Sequence, residues 1–252
     1  MLIDLNHYRL RIGMAKGFRA PSLKELYLDF VDINHNIVGN KNLVAETSSN
    51  YQINNTYKYS TNNIILQADV NLFYNAIANK IELTNSAIIN GQYSYFNIEE
   101  YKTKGISTNM SIYRKNTEIN IGMSHAGRYN KLANNQNIPK FNFSTDYNFN
   151  MIWNLGSKNK INIFYKYTDK IVNFWLDQNI INEEYQEEYQ LLDISINRRF
   201  SESLILSLGG KNLLDVTNIN QFNDVNSIHS SSSNNLPISY GRTFFLSLNF
   251  NL

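Results

Sequence analysis

Ile64 to Ile77 reads IILQADVNLFYNAI. Ile64, Leu66, Ala68, Val70, Leu72, Tyr74 and Ala76 fall on one side of a two-residue period, and Gln67, Asp69, Asn71 and Asn75 fall on the other. That is the period of a β-strand, whose side chains alternate between faces, and a helix of this sequence would have no apolar side. The single charge in the stretch, Asp69, lies on the polar face. Moving outward, the polar run Ser60 to Asn63 predicts a short turn back to Ser49–Tyr59, where Tyr51, Ile53, Tyr57 and Tyr59 oppose Gln52, Asn54, Thr56 and Lys58.

The same alternation recurs in both directions. Upstream, His7–Gly17 places Tyr8, Leu10, Ile12 and Met14 against Arg9, Arg11, Gly13 and Ala15. Downstream it returns in Thr103–Tyr113, Ile119–Met123, Phe141–Trp153, Ile161–Tyr167, Leu192–Ile196, Leu204–Leu208 and Ser239–Leu252. Phe141–Trp153 carries Phe141, Phe143, Tyr147, Phe149, Met151 and Trp153 on one face, a heavy apolar load for a sheet facing water. The chain therefore reads as about ten strands of roughly 10 to 14 residues.

Connections alternate in length. Those near residues 61, 115, 157 and 202 are short, and those near 18–43, 85–92, 130–138, 177–188 and 215–238 are long. Short turns at one edge, long loops at the other and dyad alternation within strands of this length characterise a transmembrane antiparallel β-barrel. In that fold the apolar face meets lipid, and Arg9, Arg11, Gln67, Asp69, Asn71, Asn109, Asp146 and Asn148 face the lumen. A soluble barrel would show the same alternation with inside and outside exchanged. Strand length and the Tyr, Phe and Trp residues toward segment ends, placed as interfacial girdles, favour the membrane.

Composition agrees. Of 252 residues 42% are hydrophobic, 13% aromatic and only 17% charged, unlike a disordered chain or a typical charged cytosolic surface. Net charge is +2 with basic residues scattered, which argues against a nucleic-acid partner. Without cysteine there is neither a disulfide framework nor a thiolate metal site. No apolar run is long enough for a transmembrane helix, and Met1-Leu-Ile-Asp lacks the character of a signal peptide, so the chain is expected to begin partway through something longer.

Against this background Lys16–Leu43, KGFRAPSLKELYLDFVDINHNIVGNKNL, stands out as a long connection in a chain of hairpins, the place where function concentrates in β-rich proteins. Its boxes FRAP (Phe18, Arg19, Ala20, Pro21) and GNKNL (Gly39, Asn40, Lys41, Asn42, Leu43), with Glu46 following, resemble the TonB-dependent outer-membrane receptors. GGKNLLDVT from Gly209 to Thr217, with Lys211, Asn212 and Leu213, resembles the penultimate-strand motif of that family, and SYGRTFFLSLNF from Ser239 to Phe250 resembles its closing strand. Two departures are Lys41 where the family usually has proline, and Leu252 where it usually ends in an aromatic.

The resemblance implies that residues 1–252 are the C-terminal portion of a 22-stranded plugged barrel. The plug domain and N-terminal strands would lie elsewhere, and the TonB energy-coupling complex would act through that absent part. The implied function is import of an iron–siderophore, heme or similar large complex across the outer membrane of a Gram-negative bacterium. Heme or a ferric siderophore would be transported ligand rather than intrinsic cofactor. The alternative is a self-contained small outer-membrane barrel of porin or protease type.

Candidate ligand-binding residues are His35 and Arg19. His35 lies between Pro21 and Asn40, as a histidine does in the heme receptors this loop resembles, and a neutral imidazole suits heme iron. Arg19 and Glu25 are candidates to pair with each other or with the plug. The histidines His7, His35, His125 and His229 lack the spacing of metal-ligand pairs, and no nucleophile elbow, phosphate loop or zinc motif occurs, so no catalytic or metal site is expected. Glu183, Glu184, Glu187 and Glu188 read as a solvated acidic loop, and Asp69, Asp146 and Asp193 as lumenal carboxylates.

Overall fold

The computed structural model describes residues 1–31, 36–84, 93–131, 141–177, 180–220 and 235–250. The chain opens with β1 (Leu2–Leu5) and β2 (Tyr8–Arg19), joined by a tight turn at Asn6 and His7. A crossing segment then carries α1 (Leu23–Tyr27), β3 (Asp29–Val31) and β4 (Asn36–Val38). The long strands follow: β5 (Glu46–Ser60), β6 (Ile65–Thr84), β7 (Tyr93–Arg114), β8 (Thr117–Asn130), β9 (Asn142–Leu155) and β10 (Asn159–Thr168). A hairpin of β11 (Ile171–Asp177) and β12 (Ile180–Gln186) leads into β13 (Tyr189–Arg199) and β14 (Leu204–Lys211). The small pair β15 (Asn218–Asn220) and β16 (Asn235–Pro237) precedes β17 (Thr243–Phe250).

One sheet runs in the order β1-β2-β5-β6-β7-β8-β9-β10-β13-β14-β17, each strand antiparallel to its neighbours. The ten expected strands are all present, and β1 is an addition, because Leu2–Leu5 is short enough to be missed by a periodicity reading. Among the described residues β1 and β17 do not pair with each other, so the sheet is open. Short turns lie at one edge, where Lys115 (φ 44°) and Gly156 (φ 66°) take the left-handed conformation that reverses the chain in two or three residues.

Three expectations need correction. β6 and β7 are 20 and 22 residues long, well beyond the expected length, because their pairing continues from Ala78–Glu100 to Thr84–Ser94 above their neighbours. The polar stretch from Asp177, read as a loop, is largely the hairpin β11–β12, since hydrogen bonding between its own two arms satisfies the backbone whatever the side-chain polarity. Phe18 and Arg19 belong to β2, paired with Thr47 and Glu46, and not to the connection.

Register fixes the faces. Asn50 meets Asn75, which donates to Thr103 at 2.9 Å, and Thr56 meets Asp69 at 2.6 Å on the polar side, while the rings of Tyr51 and Tyr74 lie 6.3 Å apart on the other. Among the described residues the only buried apolar side chains are Leu43, Ile81 and Ile219. Meanwhile Met14, Phe244, Leu246, Leu248 and Phe250 are each more than 60% exposed. Among the described residues no protein layer covers the apolar face, and a surface of that kind requires lipid.

Candidate functional site

The two boxes of the crossing segment fold onto each other. Pro21 leads into Ser22, the N-cap of α1, whose Oγ accepts from the Glu25 N–H at 3.2 Å while the Glu25 carboxylate accepts from the Ser22 N–H at 2.7 Å. This reciprocal capping box satisfies two donors that a short helix would leave unpaired. It also aims Glu25 at Arg19. Arg19 donates through Nη1 to both Glu25 oxygens at 2.9 and 3.0 Å, and through Nε and Nη2 to the two oxygens of Glu46 at 2.8 and 2.7 Å. Glu46 accepts in addition from the Ile81 N–H at 2.6 Å, tying β2, α1, β5 and β6 to one guanidinium.

The second box closes the same structure. Gly39 donates to Leu28 O at 2.6 Å, and a Cβ at Gly39 would stand 2.7 Å from backbone atoms of Leu26, Tyr27 and Leu28. Asn40 donates its backbone N–H to Glu25 O at 2.8 Å and its Nδ2 to Tyr95 O at 2.8 Å, and its Oδ1 accepts from the Asn42 N–H. Leu43 is buried beneath. Lys41, at the position of the family's proline, places its ammonium 5.5 Å from the ring of Tyr27.

β4 shows where the segment goes. Ser94 of β7 pairs with Thr84 of β6 on one side and with Val38 of β4 on the other, and β8 joins β7 only from Tyr101. The segment thus leaves β2, crosses β5 and β6, and covers Tyr93 and Ser94, the far end of the β7 edge that β8 leaves bare. On its return, Val44 donates to Asn97 Oδ1 at 2.9 Å and accepts from Asn97 Nδ2 at 3.0 Å, while Asn97 also donates to Asn79 O at 2.7 Å. Asn97 and Glu46 share the lumenal parity of their strands, so residues 20–31 and 36–45 form a strap across the lumenal side of the wall at its long-loop end.

Electrostatics follow the geometry. The membrane-facing apolar residues of β5 begin only at Tyr51, so this cluster stands above the lipid band. Hydrogen bonding to Glu46 and then Glu25 raises the pKa of Arg19. Arg19 holds Glu46 below the usual carboxylate range against an opposing effect of burial, with help from the Ile81 N–H. For Glu25, burial opposes ionisation, yet the Ser22 N–H and Arg19 prevail and its pKa is lowered. Arg19 is therefore a charged brace occupied on both sides.

The other sequence candidates separate. His35 and His229 lie outside the described residues. His7 sits in the β1–β2 turn with its ring 6.4 Å from that of Tyr59, and His125 Nδ1 is 2.8 Å from Thr145 Oγ1, so these two are far apart in the sheet. Among the described residues no group of acidic and histidine side chains could hold a metal. Asp69 accepts from Thr56 and Gln67, Asp146 from the Asp169 N–H and Asp193 from the Asn212 N–H. Of the acidic run, Glu187 accepts from the Asn220 N–H at 3.0 Å and from its Nδ2 at 2.8 Å, both bonds exposed.

In the KNL motif, Lys211 is the last residue of β14. Asn212 (φ 48°) donates to Val216 O and Ser239 Oγ and accepts from the Val216 N–H. Leu213 donates to Leu192 O at 2.8 Å. Sequence reasoning missed the roles of Asn97 and Tyr95, since nothing local distinguishes them from other strand residues.

An open, single-layer antiparallel sheet with an apolar outer face, short turns at one rim and a strapped, loop-rich opposite rim is part of the wall of an outer-membrane β-barrel. The family model for the TonB dependent receptor-like β-barrel matches residues 4–213, and the chain belongs to that family, whose members sit in the Gram-negative outer membrane. It is 24% identical over 249 residues to the probable hemoglobin and hemoglobin-haptoglobin-binding protein 4 of Haemophilus influenzae, covering 84% of this chain and 24% of that protein. Among solved structures it resembles the ferric enterobactin receptor of Pseudomonas aeruginosa (20% identity, TM-score 0.68, 98% of this chain and 39% of that one). It also resembles the pyoverdine outer membrane receptor of the same species (18% identity, TM-score 0.67, 100% and 35%). The chain spans about a quarter of the length of its curated relative and under two fifths of these structures.

Proposed function

We propose that this chain supplies the later strands of the barrel in an outer-membrane receptor that binds and imports an iron–siderophore, heme or similar complex, with energy delivered from the inner membrane through a plug and TonB. The observation that carries this reading is the strap of residues 20–31 and 36–45, braced by Arg19, Glu25 and Glu46 across the lumenal side of the mouth, where cargo from outside would arrive. Arg19 acts by holding the strap, since both its faces are taken by carboxylates. The relatives are transport receptors, and we assign the chain no catalytic role.

The hemoglobin-binding relative favours heme as cargo, with His35, which the sequence places between Pro21 and Asn40, as the iron ligand. The experiment uses the complete receptor containing this chain, titrated with hemin and with ferric siderophores, alongside growth of an iron-starved receptor-deletion strain. Hemin should bind with a shift of its Soret band, and His35→Ala should weaken it tenfold or more, about 1.4 kcal/mol. Unchanged hemin binding by the variant removes His35 from the site. Rescue by no iron complex overturns the import of iron.

A further inference from the structure

The connection between β14 and β17 runs from Asn212 to Arg242, too long for turn geometry to set how the two strands pair. The apolar pattern does not set it either. Leu204, Leu206 and Leu208 of β14 lie outward against Phe250, Leu248 and Leu246 of β17, and a slip of two residues would still bring apolar side chains together on that face. Yet β17 takes one register, in which Ser207 meets Ser247, Gly209 meets Phe245 and Gly210 meets Phe244.

Two features distinguish that register from its slipped neighbours. The first is a pair of glycine seats on opposite faces of the hairpin. A Cβ at Gly209 would stand 2.5 Å from the Phe245 ring, and one at Gly210 would stand 3.2 Å from the Phe244 ring and 2.5 Å from Leu213 Cδ2. A slip of two carries the rings off the glycines, onto Ser207 and Leu208 in one direction or Lys211 and Asn212 in the other, all of which bear a Cβ.

The second feature is a clasp at the base of the connection. The Asn212 N–H donates to Asp193 Oδ1 at 2.7 Å, and its Nδ2 donates to Val216 O at 2.8 Å and to Ser239 Oγ at 2.7 Å. Ser239 Oγ accepts in turn from the Gly241 N–H at 3.1 Å. Asp215 Oδ1 accepts from the Arg242 N–H at 2.8 Å, Arg242 Nε donates to Leu213 O at 3.0 Å, and Thr217 O accepts from the Ile238 N–H at 2.9 Å. These bonds join residues 212–217 to 238–242 immediately before β17 begins, so Thr243 enters opposite Lys211.

We infer that the clasp and the two glycine seats set the register of β17, independently of the residues between Thr217 and Ile238. Strand stagger and strand tilt are linked in a barrel, so a slip at this hairpin would alter the closure of the whole wall. The device therefore acts on assembly of the barrel and not on its cargo.

The chain has no cysteine, so introduced pairs report register in the complete receptor once any cysteine elsewhere is replaced by serine. Ser207→Cys with Ser247→Cys joins register partners. Ser207→Cys with Asn249→Cys, and Ile205→Cys with Ser247→Cys, join residues that meet only after a slip of two, since diagonal pairs lie beyond disulfide reach. After oxidation, disulfide yield is read by mass spectrometry in the fraction whose heat-modifiable gel migration shows it to be folded. In the native background the partner pair should close at least tenfold more than either slip pair. Asn212→Gly with Asp215→Gly removes the side-chain bonds at two positive-φ positions without backbone strain, and should raise a slip pair at least fivefold. Gly209→Ala with Gly210→Ala should do the same. Replacing Asn218–Pro237 by a short Gly-Ser linker should leave the native ratio unchanged. Asp215→Gly alone should raise a slip pair at least twofold, which decides the matter where a double variant yields no folded receptor. Slip pairs as silent in the folded clasp and glycine variants as in the native protein, or a slip produced by the linker, would each overturn the proposal.

Discussion

Arg19 and Glu46 are register partners on β2 and β5, and two parallel hydrogen bonds of 2.8 and 2.7 Å join them, the fork geometry in which a guanidinium meets a carboxylate most strongly. Because the third nitrogen of Arg19 holds Glu25 at the base of α1, the bridge fastens the strap to the wall at the point where the strap departs.

Removing the guanidinium should loosen the strap without unfolding the sheet. In Arg19→Ala two carboxylates lose their counter-ion, but Arg19 is 45% exposed, and solvent screening keeps the cost to about 1 kcal/mol. Hydrogen exchange in the complete receptor should accelerate roughly fivefold in residues 22–28 and 39–46 and stay unchanged in β8–β10. Uniform acceleration across the sheet would contradict the assignment.

Gly39→Ala should separate the boxes sterically. Its new methyl would sit 2.7 Å from the backbone of Leu26, Tyr27 and Leu28, which no rotamer can relieve. A cost of about 1 to 3 kcal/mol is expected, confined to the strap. Limited trypsin digestion should cut at Lys24 and Lys41 faster than in the native receptor; an unchanged cleavage pattern would show that α1 moves aside freely.

Acid should release the same contacts. Glu25 and Glu46 both have lowered pKa values in the folded state, so the stabilisation they give is complete above the ordinary carboxylate value of 4.5 and is lost as pH falls through their lower folded values. Strap protection in hydrogen exchange should hold from pH 7 to about 5 and decline below 4.5, and Glu46→Gln should flatten that decline. Loss of protection already near pH 6 would point to a different titrating group.

The membrane face can be tested at Leu72, an outward residue in the middle of β6. Leu72→Arg, one outward row below the Tyr51–Tyr74 level at which the lipid band begins, should destabilise the receptor in lipid by about 1 to 3 kcal/mol, whereas Asn71→Arg, one residue along on the lumenal face, should cost much less. Denaturant titration of the reconstituted protein reads both. Equal effects would mean that the faces are assigned wrongly.

Asn212→Gly should be tolerated better than Asn212→Ala. Both lose the bonds to Val216 and Ser239, but only alanine must also adopt a φ near +48°. Thermal melting of the complete receptor should rank native above Gly above Ala, and the reverse order of the two variants would remove backbone strain from the explanation.

The alternation in Ile64–Ile77 and its counterparts carried the strands, their order and the two faces, because a period of two is a local property that side-chain polarity writes into each segment. The spacing of turn-rich stretches likewise marked which rim bears short turns, and four motifs in order pointed to the family. Even so, local pattern hid β1, which is too short to show a period, and β11–β12, whose arms are joined by backbone pairing that side-chain polarity does not announce.

What the sequence could not place was everything that depends on which distant segments become neighbours. Phe18–Pro21 and Gly39–Leu43 could be read as boxes, but that Arg19 bridges Glu25 and Glu46, and that Asn97 clamps Val44 from 53 residues away, follows from inter-strand register. The seats of Phe245 on Gly209 and of Phe244 on Gly210 arise in the same way, from two strands brought side by side. Register is decided by the whole ladder of backbone hydrogen bonds, so contacts across it are a property of the assembled sheet and of no single stretch of chain.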